Sequence, residues 1–132
     1  MSTAQPFYPH DPDSEIMLQK DRAEAAQWIK DLEHAEKELA LLRPLSAGLS
    51  QSGELTAELD RLREKNNFAL LHLRLYAKDM ANALECDTMA CDAYHLENHE
   101  QHRQRYAKHI EAYRTLKLTI MEQVAATDPP RP

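Results

Sequence analysis

Glycine and proline are almost absent from most of this sequence. The chain has two glycines and seven prolines, and all of them lie near the two ends or between positions 44 and 53. Proline cannot donate the helical hydrogen bond, and glycine loses the most backbone entropy on ordering, so helices exclude both. Two uninterrupted stretches, of about thirty and about seventy residues, therefore predict an all-α fold.

The chain also lacks a basic surplus and any long apolar run. Its 22 acidic residues outnumber its 16 basic ones, for a net charge of -6. This balance argues against a nucleic-acid partner and against binding to an anionic membrane surface. Residues 1–10 show neither a basic start nor an apolar segment, so we expect no secretory signal, no membrane span and a cytoplasmic location.

Cysteine is scarce as well. Two cysteines are too few for a disulfide scaffold. If Cys86 and Cys91 lay on one continuous helix, the rise between them alone would be about 7.5 Å, beyond an unstrained bridge.

Apolar residues recur at three- and four-residue steps and predict three helices in one domain. The predicted buried stripes are Leu18, Arg22, Ala25, Trp28, Ile29, Leu32, Ala35, Leu39 and Leu42 in the first helix, Leu55, Leu59, Leu62, Asn66, Ala69, Leu70, Leu73, Tyr76, Ala77, Met80 and Leu84 in the second, and Cys91, His95, His99, His102, Tyr106, His109, Tyr113, Leu116, Ile120 and Val124 in the third. The outer polar face of the first helix should carry Lys20, Glu24, Gln27, Asp31, His34 and Glu38, and Ser52 should cap the second helix.

Asp11 with Pro12, or Ser14, marks the start of the first helix, and Pro44 marks its end near Arg43, followed by the loop PLSAGLSQSG. We expect a tail over 1–13, a bundle over 14–126 with helices at about 14–43, 54–85 and 88–125, and a second tail over 127–132.

The region between the second and third helices allows two interpretations, because the apolar spacing continues in phase from Leu84 to Cys91. Weak helix formers cluster there, and Asp87 or Thr88 can cap a new helix. We favour an antiparallel three-helix bundle, since three helices of similar length can bury all three apolar stripes. The alternative is a long helical hairpin that forms a dimeric coiled coil.

One segment resembles a known family. The stretch LQKDRAEAAQWIKDLEHAEKEL, from Leu18 to Leu39 with the Trp28-Ile29 pair at its middle, is similar to the first helix of a spectrin repeat. Spectrin-like repeats are three-helix coiled coils that serve as spacers and docking surfaces. The resemblance, over about a sixth of the chain, therefore implies scaffolding and no chemistry, and it extends to no later helix.

The third helix carries one thiol and three imidazoles on a single face: Cys91, His95, His99 and His102. Zn²⁺ or a copper ion accepts these donors. One straight helix cannot surround an ion, so such a site needs donors from a neighbouring helix or subunit, with Glu97, Glu100 and Cys86 nearby. We favour the simpler interpretation, in which these residues form a polar, hydrogen-bonded seam without an ion.

No catalytic group of residues is recognisable. Cys91 beside His95 is a candidate reactive thiol, but no orienting residue or oxyanion donor accompanies it, so we expect no enzymatic activity and no cofactor. Histidines in a seam can also make stability respond to pH. Asn66 falls within an apolar stripe, where it either sets the helix register from a buried position or points into water.

The second helix has an additional apolar face. Phe68, Leu71 and Leu75 lie roughly opposite its main stripe and should point outward. They either form a partner surface or are covered by a skewed bundle or by the Phe7-Tyr8 tail. The resulting hypothesis is a non-catalytic scaffold or adaptor that acts through protein contact, as a homo-oligomer; the alternative is a zinc- or copper-binding bundle.

Overall fold

The computed structural model describes residues 12–49, 53–83 and 89–127, and nearly all of them are helical. The helices are α1 (Pro12–Leu49), α2 (Glu54–Ala83) and α3 (Met89–Ala126). All three pack against one another, α1 with α2 most closely, and the described residues include no strand. The prediction of an all-α three-helix bundle is confirmed.

Side-chain bonds show that the three helices run up, down and up. In the bonds between α1 and α2 and between α2 and α3, a higher residue number on one helix pairs with a lower number on the other, so these helices are antiparallel. In the bonds between α1 and α3 both numbers rise together, so these two helices are parallel. The bonds are Arg43 to Asp60 and Arg63 to Glu36 between α1 and α2, Tyr106 to Asp31 and Lys117 to Glu38 between α1 and α3, and Tyr76 to His99 and Asn66 to His109 between α2 and α3.

The first helix does not end at Arg43 as predicted, but continues through Pro44 to Leu49. A proline inside a helix costs about 3 kcal/mol, so local preference alone favours a break. Contacts of Ser46 oppose the break. The residue is fully buried, its hydroxyl donates to the Arg43 carbonyl of the same helix at 2.8 Å, and its Oγ lies 3.1 Å from Thr56 Oγ1 of α2. Leu49 packs against the core beyond it.

The remaining boundaries lie close to the expected positions. Pro12 is the first residue of α1, where a missing backbone donor does no harm. Gly53 immediately precedes α2 with a φ of 77°, a conformation that glycine adopts without strain. Other predicted features fall outside the described residues: the Asp11 and Ser52 caps, the Phe7-Tyr8 tail, Leu84, Asp87 and Thr88.

The core follows the predicted stripes with three differences. Arg22 and Val124 are exposed although they were placed in the stripes of α1 and α3, and Ile110 is buried although it was not predicted. An α-helix turns by 100° per residue, so a small error in the predicted direction of a stripe changes which residue faces the core. Within the part of the chain that the structure describes, the buried apolar residues are Leu18, Ala25, Trp28, Leu32, Ala35, Leu39 and Leu42 of α1, Leu59, Leu62, Leu70, Leu73, Tyr76 and Met80 of α2, and Ile110, Tyr113, Leu116 and Ile120 of α3.

None of the helices in the described ranges combines the length and apolar character needed to cross a bilayer.

Candidate functional site

The histidines at the start of α3 face an acidic edge of α1. Because α1 and α3 run parallel, Asp21 and Glu24, one turn apart, lie beside His95 and His99, also one turn apart. These four side chains form the group that we call the His-carboxylate cluster. It lies at the end of the bundle that holds the starts of α1 and α3.

His99 is the centre of the cluster. Its side chain is only 3% exposed. Its Nε2 lies 2.8 Å from Glu24 Oε1 and 3.4 Å from Asp21 Oδ1, and its Nδ1 lies 2.6 Å from the Tyr76 hydroxyl. Carboxylates only accept hydrogen bonds, so in the neutral ring Nε2-H donates to Glu24 and Nδ1 accepts from Tyr76. His99 thereby links all three helices.

Aromatic rings hold His99 in place. Trp28 of α1 stacks on the His99 imidazole with 5.0 Å between ring centroids. It also stacks on Tyr106, which lies on the same face of α3 as His99, at 5.4 Å.

Burial is the main cause that raises the pKa of Tyr76 well above its usual value, and the nearby Asp21 carboxylate adds to it. Tyr76 is therefore a neutral hydroxyl across the physiological range and is not a nucleophile.

Arg103 orients the Glu24 carboxylate. Its terminal Nη2 donates to Glu24 Oε1 at 2.8 Å and its Nε donates to Oε2 at 3.2 Å, while Nη1 donates to Glu100. The bond from Arg103 is the largest cause that lowers the pKa of Glu24, partial burial opposes it, and the bond to His99 lowers it further. Glu24 is therefore ionised at neutral pH and aimed at His99.

His95 is the least satisfied member of the cluster. Its Nε2 is buried and forms no hydrogen bond that meets normal geometry, although it lies 3.5 Å from Asp21 Oδ2. Burial is the main cause that lowers the pKa of His95, and the nearby Asp21 carboxylate opposes this shift. A neutral imidazole thus faces a carboxylate at a distance too long for a good hydrogen bond.

The structure divides the four predicted metal ligands. His95 and His99 join the His-carboxylate cluster, whereas His102 stacks on Tyr76 with 4.1 Å between centroids and faces α2. Burial also lowers the pKa of His102, followed by the nearby Arg105. Cys91 is disulfide-bonded, so in this oxidised form it offers no thiolate to an ion or a substrate; Cys86 lies outside the described residues.

Asp21 and Glu24 were not predicted as site residues, and Glu24 was assigned to the outer polar face of α1. A signal for them exists in the sequence. Glu24, Asp31 and Glu38 recur at seven-residue steps beside the apolar stripe, and each bonds to α3. Acids at heptad spacing along the edge of a stripe are typical of residues that pair with a neighbouring helix.

The predicted contact face lies elsewhere, on the outer side of α2. Phe68, Leu71 and Leu75 are 63%, 51% and 54% exposed. Phe68 lies at the edge of a groove of about 380 Å³ between α2 and α3. The groove has an apolar floor and a basic rim, and its lining includes Leu32, Lys65, Ala69, His72, Leu73, His102, Arg105 and Tyr106.

No protein-family model matches this chain, and neither the curated proteins nor the solved structures contain a significant match to it. The similarity to spectrin repeats is therefore limited to the segment from Leu18 to Leu39.

Proposed function

We propose that this protein is a non-catalytic scaffold or adaptor that works through protein contact and associates with a second copy of itself. The proposal is supported by the outer face of α2, where Phe68, Leu71 and Leu75 are each more than half exposed. Contiguous exposed apolar side chains on a helix that already buries another face are typical of a partner surface. The net charge of -6 favours a protein partner over a nucleic acid.

The exposed face continues along α2 as a regular heptad stripe. From Arg61 to Asn82, its positions alternate steps of three and four residues, the spacing of a coiled-coil seam. The centre of the stripe is apolar and its ends are polar. The stripe consists of Arg61, Glu64, Phe68, Leu71, Leu75, Lys78 and Asn82, and all seven side chains are exposed.

The charges along α2 suit an antiparallel pairing with an identical helix. Glu64 and Lys78 are each seven residues from Leu71. A two-fold axis at Leu71 therefore places Glu64 opposite Lys78 of the second copy. The same axis places Phe68 within one residue, about 1.5 Å along the helix, of the level of Leu75 in the second copy. This self-complementarity is the observation that carries the proposal of a homodimer.

Three apolar side chains per copy form a small interface, and surface ion pairs add little to it. We therefore expect a dissociation constant in the micromolar range, on the order of 10 μM, rather than an obligate dimer.

Sedimentation across a concentration series tests the contact. The double change of Phe68→Glu with Leu75→Glu should leave a monomer with unchanged helicity, because the buried stripe of α2 is untouched. The matched control changes two residues of α3 that are similarly exposed, Leu96→Glu with Leu118→Glu, and should still dimerise. If the unaltered protein remains a monomer up to about 1 mM, self-association is wrong.

A charge exchange tests the antiparallel geometry. Glu64→Lys alone places like charges opposite each other at both symmetric ends and should raise the dissociation constant about tenfold. Adding Lys78→Glu to the same chain restores opposite charges and should restore the affinity. If the double exchange dimerises no better than Glu64→Lys, the two helices do not pair around Leu71.

The predicted cytoplasmic location and the state of Cys91 point in different directions. Composition favours the cytoplasm, whereas a disulfide at Cys91 is typical of oxidising compartments. We retain the cytoplasm as the proposed location, with Cys91 reduced there. Alkylation of intact cells, followed by peptide mass analysis, would show a modified Cys91 thiol; an unmodified, disulfide-bonded Cys91 would contradict this location.

A further inference from the structure

We propose that the His-carboxylate cluster is a Zn²⁺ site across α1 and α3, in which Asp21, Glu24 and His99 hold the ion and the neighbouring His95 turns in as the fourth ligand. These residues differ from the single-helix set suggested by the sequence, since they exclude Cys91 and His102 and add two carboxylates. The site uses neither α2 contact residues nor the dimer, so it stands apart from the proposed function.

The distances in the cluster resemble those of a coordination sphere. Zn²⁺ bonds to imidazole nitrogen and carboxylate oxygen are about 2.0 to 2.2 Å, so two donors on one tetrahedral ion lie about 3.4 Å apart. His99 Nε2 is 3.4 Å from Asp21 Oδ1, and His95 Nε2 is 3.5 Å from Asp21 Oδ2. One donor atom each from Asp21, Glu24 and His99 lies within 4.8 Å of the others, whereas His95 falls outside that distance from at least one of them and has to move closer to share the ion.

Hydrogen bonds alone leave the cluster incompletely satisfied. The Nε2-H of His99 donates to Glu24 at 2.8 Å, which leaves Asp21 at the longer distance. His95 Nε2 is buried and has no hydrogen-bond partner. A buried polar atom without a partner is rare in folded proteins and calls for an explanation, of which an ion is one. An ion among these atoms would give His95 Nε2 a bond and would replace the single short contact from His99 to Glu24.

The surroundings fix the donors as a metal site requires. Histidine ligands usually donate their other ring N-H to a second group. Here Nδ1 of His99 lies 2.6 Å from the Tyr76 oxygen, which accepts that hydrogen bond once Nε2 binds an ion. Trp28 packs on the ring and Arg103 holds Glu24, so neither donor has to be ordered when the ion arrives.

The charges and donor types favour a divalent transition ion. The site and its neighbours carry a formal charge of -2, which one divalent cation cancels. This charge is the sum of the carboxylates of Asp21, Glu24 and Glu100 and the guanidinium of Arg103. Two imidazoles disfavour Mg²⁺ and Ca²⁺, which select oxygen donors, whereas two nitrogens and two oxygens suit Zn²⁺.

Titration calorimetry with the chelator-treated full chain tests the site. We expect one Zn²⁺ per chain with a dissociation constant below about 10 μM, and a higher melting temperature with the ion present. Asp21→Asn and His95→Gln keep the size of each side chain and should each weaken binding at least tenfold. His34→Gln is the matched control, because His34 also faces a carboxylate, Glu38, at 3.4 Å but lies on the exposed face of α1.

Two further measurements identify the ligands without relying on the folding of a variant. Zinc should shift the imidazole signals of His95 and His99 in a nuclear magnetic resonance spectrum, and those of His34 and His72 should stay in place. A Co²⁺-substituted protein should show visible bands of a four-coordinate site and no near-ultraviolet band from sulfur.

Absence of Zn²⁺ binding tighter than about 10 μM would overturn the proposal. Equal weakening by His34→Gln would mean adventitious surface binding. A sulfur band with Co²⁺, or a loss with His102→Gln as large as that with His95→Gln, would assign the ion to the single face of α3.

Discussion

The two halves of the bundle are built differently although the same three helices form both. The polar half contains the start of α1, the end of α2 and the start of α3, and His99, Tyr76 and Trp28 fill it. The apolar half contains the opposite ends of the helices, where Leu39, Leu59, Leu116 and Ile120 are buried. Asn66 lies at the boundary between them.

The difference shows how stability and specificity are divided along one fold. Burying a leucine or isoleucine side chain contributes about 1.5 to 3 kcal/mol, whereas a typical hydrogen bond contributes about 0.5 to 1.5 kcal/mol net. The apolar half should therefore supply most of the stability. The hydrogen bonds of the polar half form only when particular side chains meet, so they fix how the helices are aligned.

A cavity in the apolar half should have the largest effect. Leu39→Ala removes a fully buried side chain from the centre of the core and should lower the free energy of unfolding by about 3 kcal/mol, measured by urea denaturation. Leu41→Ala, two residues away and 72% exposed, is the control and should change stability by less than about 0.5 kcal/mol. Similar losses in both variants would show that this half is not a packed core.

The apolar half was the more predictable from the sequence. Leu32 and Leu39 belong to the three- and four-residue period of α1, and Leu59 belongs to that of α2. Because such a period marks one face of each helix, both the helices and their buried sides could be found. The predicted end of α1 at Arg43 was wrong because a proline inside a helix costs more free energy than the differences in helix propensity among most other residues. The compensating contact between Ser46 and Thr56 depends on α2, which periodicity along α1 cannot reveal.

The polar half was predictable only in part. The pattern placed His95 and His99 on one face, which the structure confirms, but could not show which helix that face meets. Glu24 and Asp21 were missed because a charged residue beside an apolar stripe is usually solvated. Their pairing with α3 requires that α1 and α3 run parallel at a particular offset, and that offset is a tertiary property.

Loss of the boundary residue should have an intermediate effect. Asn66 is fully buried, its Nδ2 donates to the Leu32 carbonyl at 2.9 Å, and its Oδ1 accepts from His109 Nε2 at 2.8 Å. The sequence left open whether Asn66 is buried or solvated, and the structure shows it buried with both bonds made. Asn66→Ala leaves His109 without this acceptor and should cost about 2 kcal/mol in urea denaturation.

Asn67 is the matched control for Asn66. It is the next residue of α2 and is exposed, so Asn67→Ala should change the free energy of unfolding by less than about 0.5 kcal/mol. An Asn66→Ala variant as stable as the Asn67→Ala variant would contradict the role of Asn66 as a link between α2 and the other two helices.

Mild acid should lower the free energy of unfolding through His109, and this should be the smallest of the three effects. Burial is the main cause that lowers the pKa of His109, and the nearby Lys65 adds to it. Above the unfolded-state pKa of about 6.5, His109 is neutral in both states. As the pH falls below that value, the unfolded chain binds a proton that the folded chain resists, so stability is lost toward the folded-state pKa.

Substitution of His109 measures this contribution directly. His109→Gln keeps a donor that can reach Asn66 Oδ1 but cannot titrate. Urea denaturation in the presence of a chelator should be compared at pH of about 7.5 and about 5.5. The free energy of unfolding should fall less for His109→Gln than for the unaltered protein between these two pH values. The difference should be about 1.4 kcal/mol for each unit by which the pKa of His109 is lowered, and at most that of one unit, because pH 5.5 lies about one unit below the unfolded-state pKa of about 6.5. Glu24 does not confuse the result, because its pKa is lowered from 4.5 and its contribution is lost only at lower pH. An identical acid loss in both proteins would mean that His109 takes up its proton as readily in the bundle as in the unfolded chain.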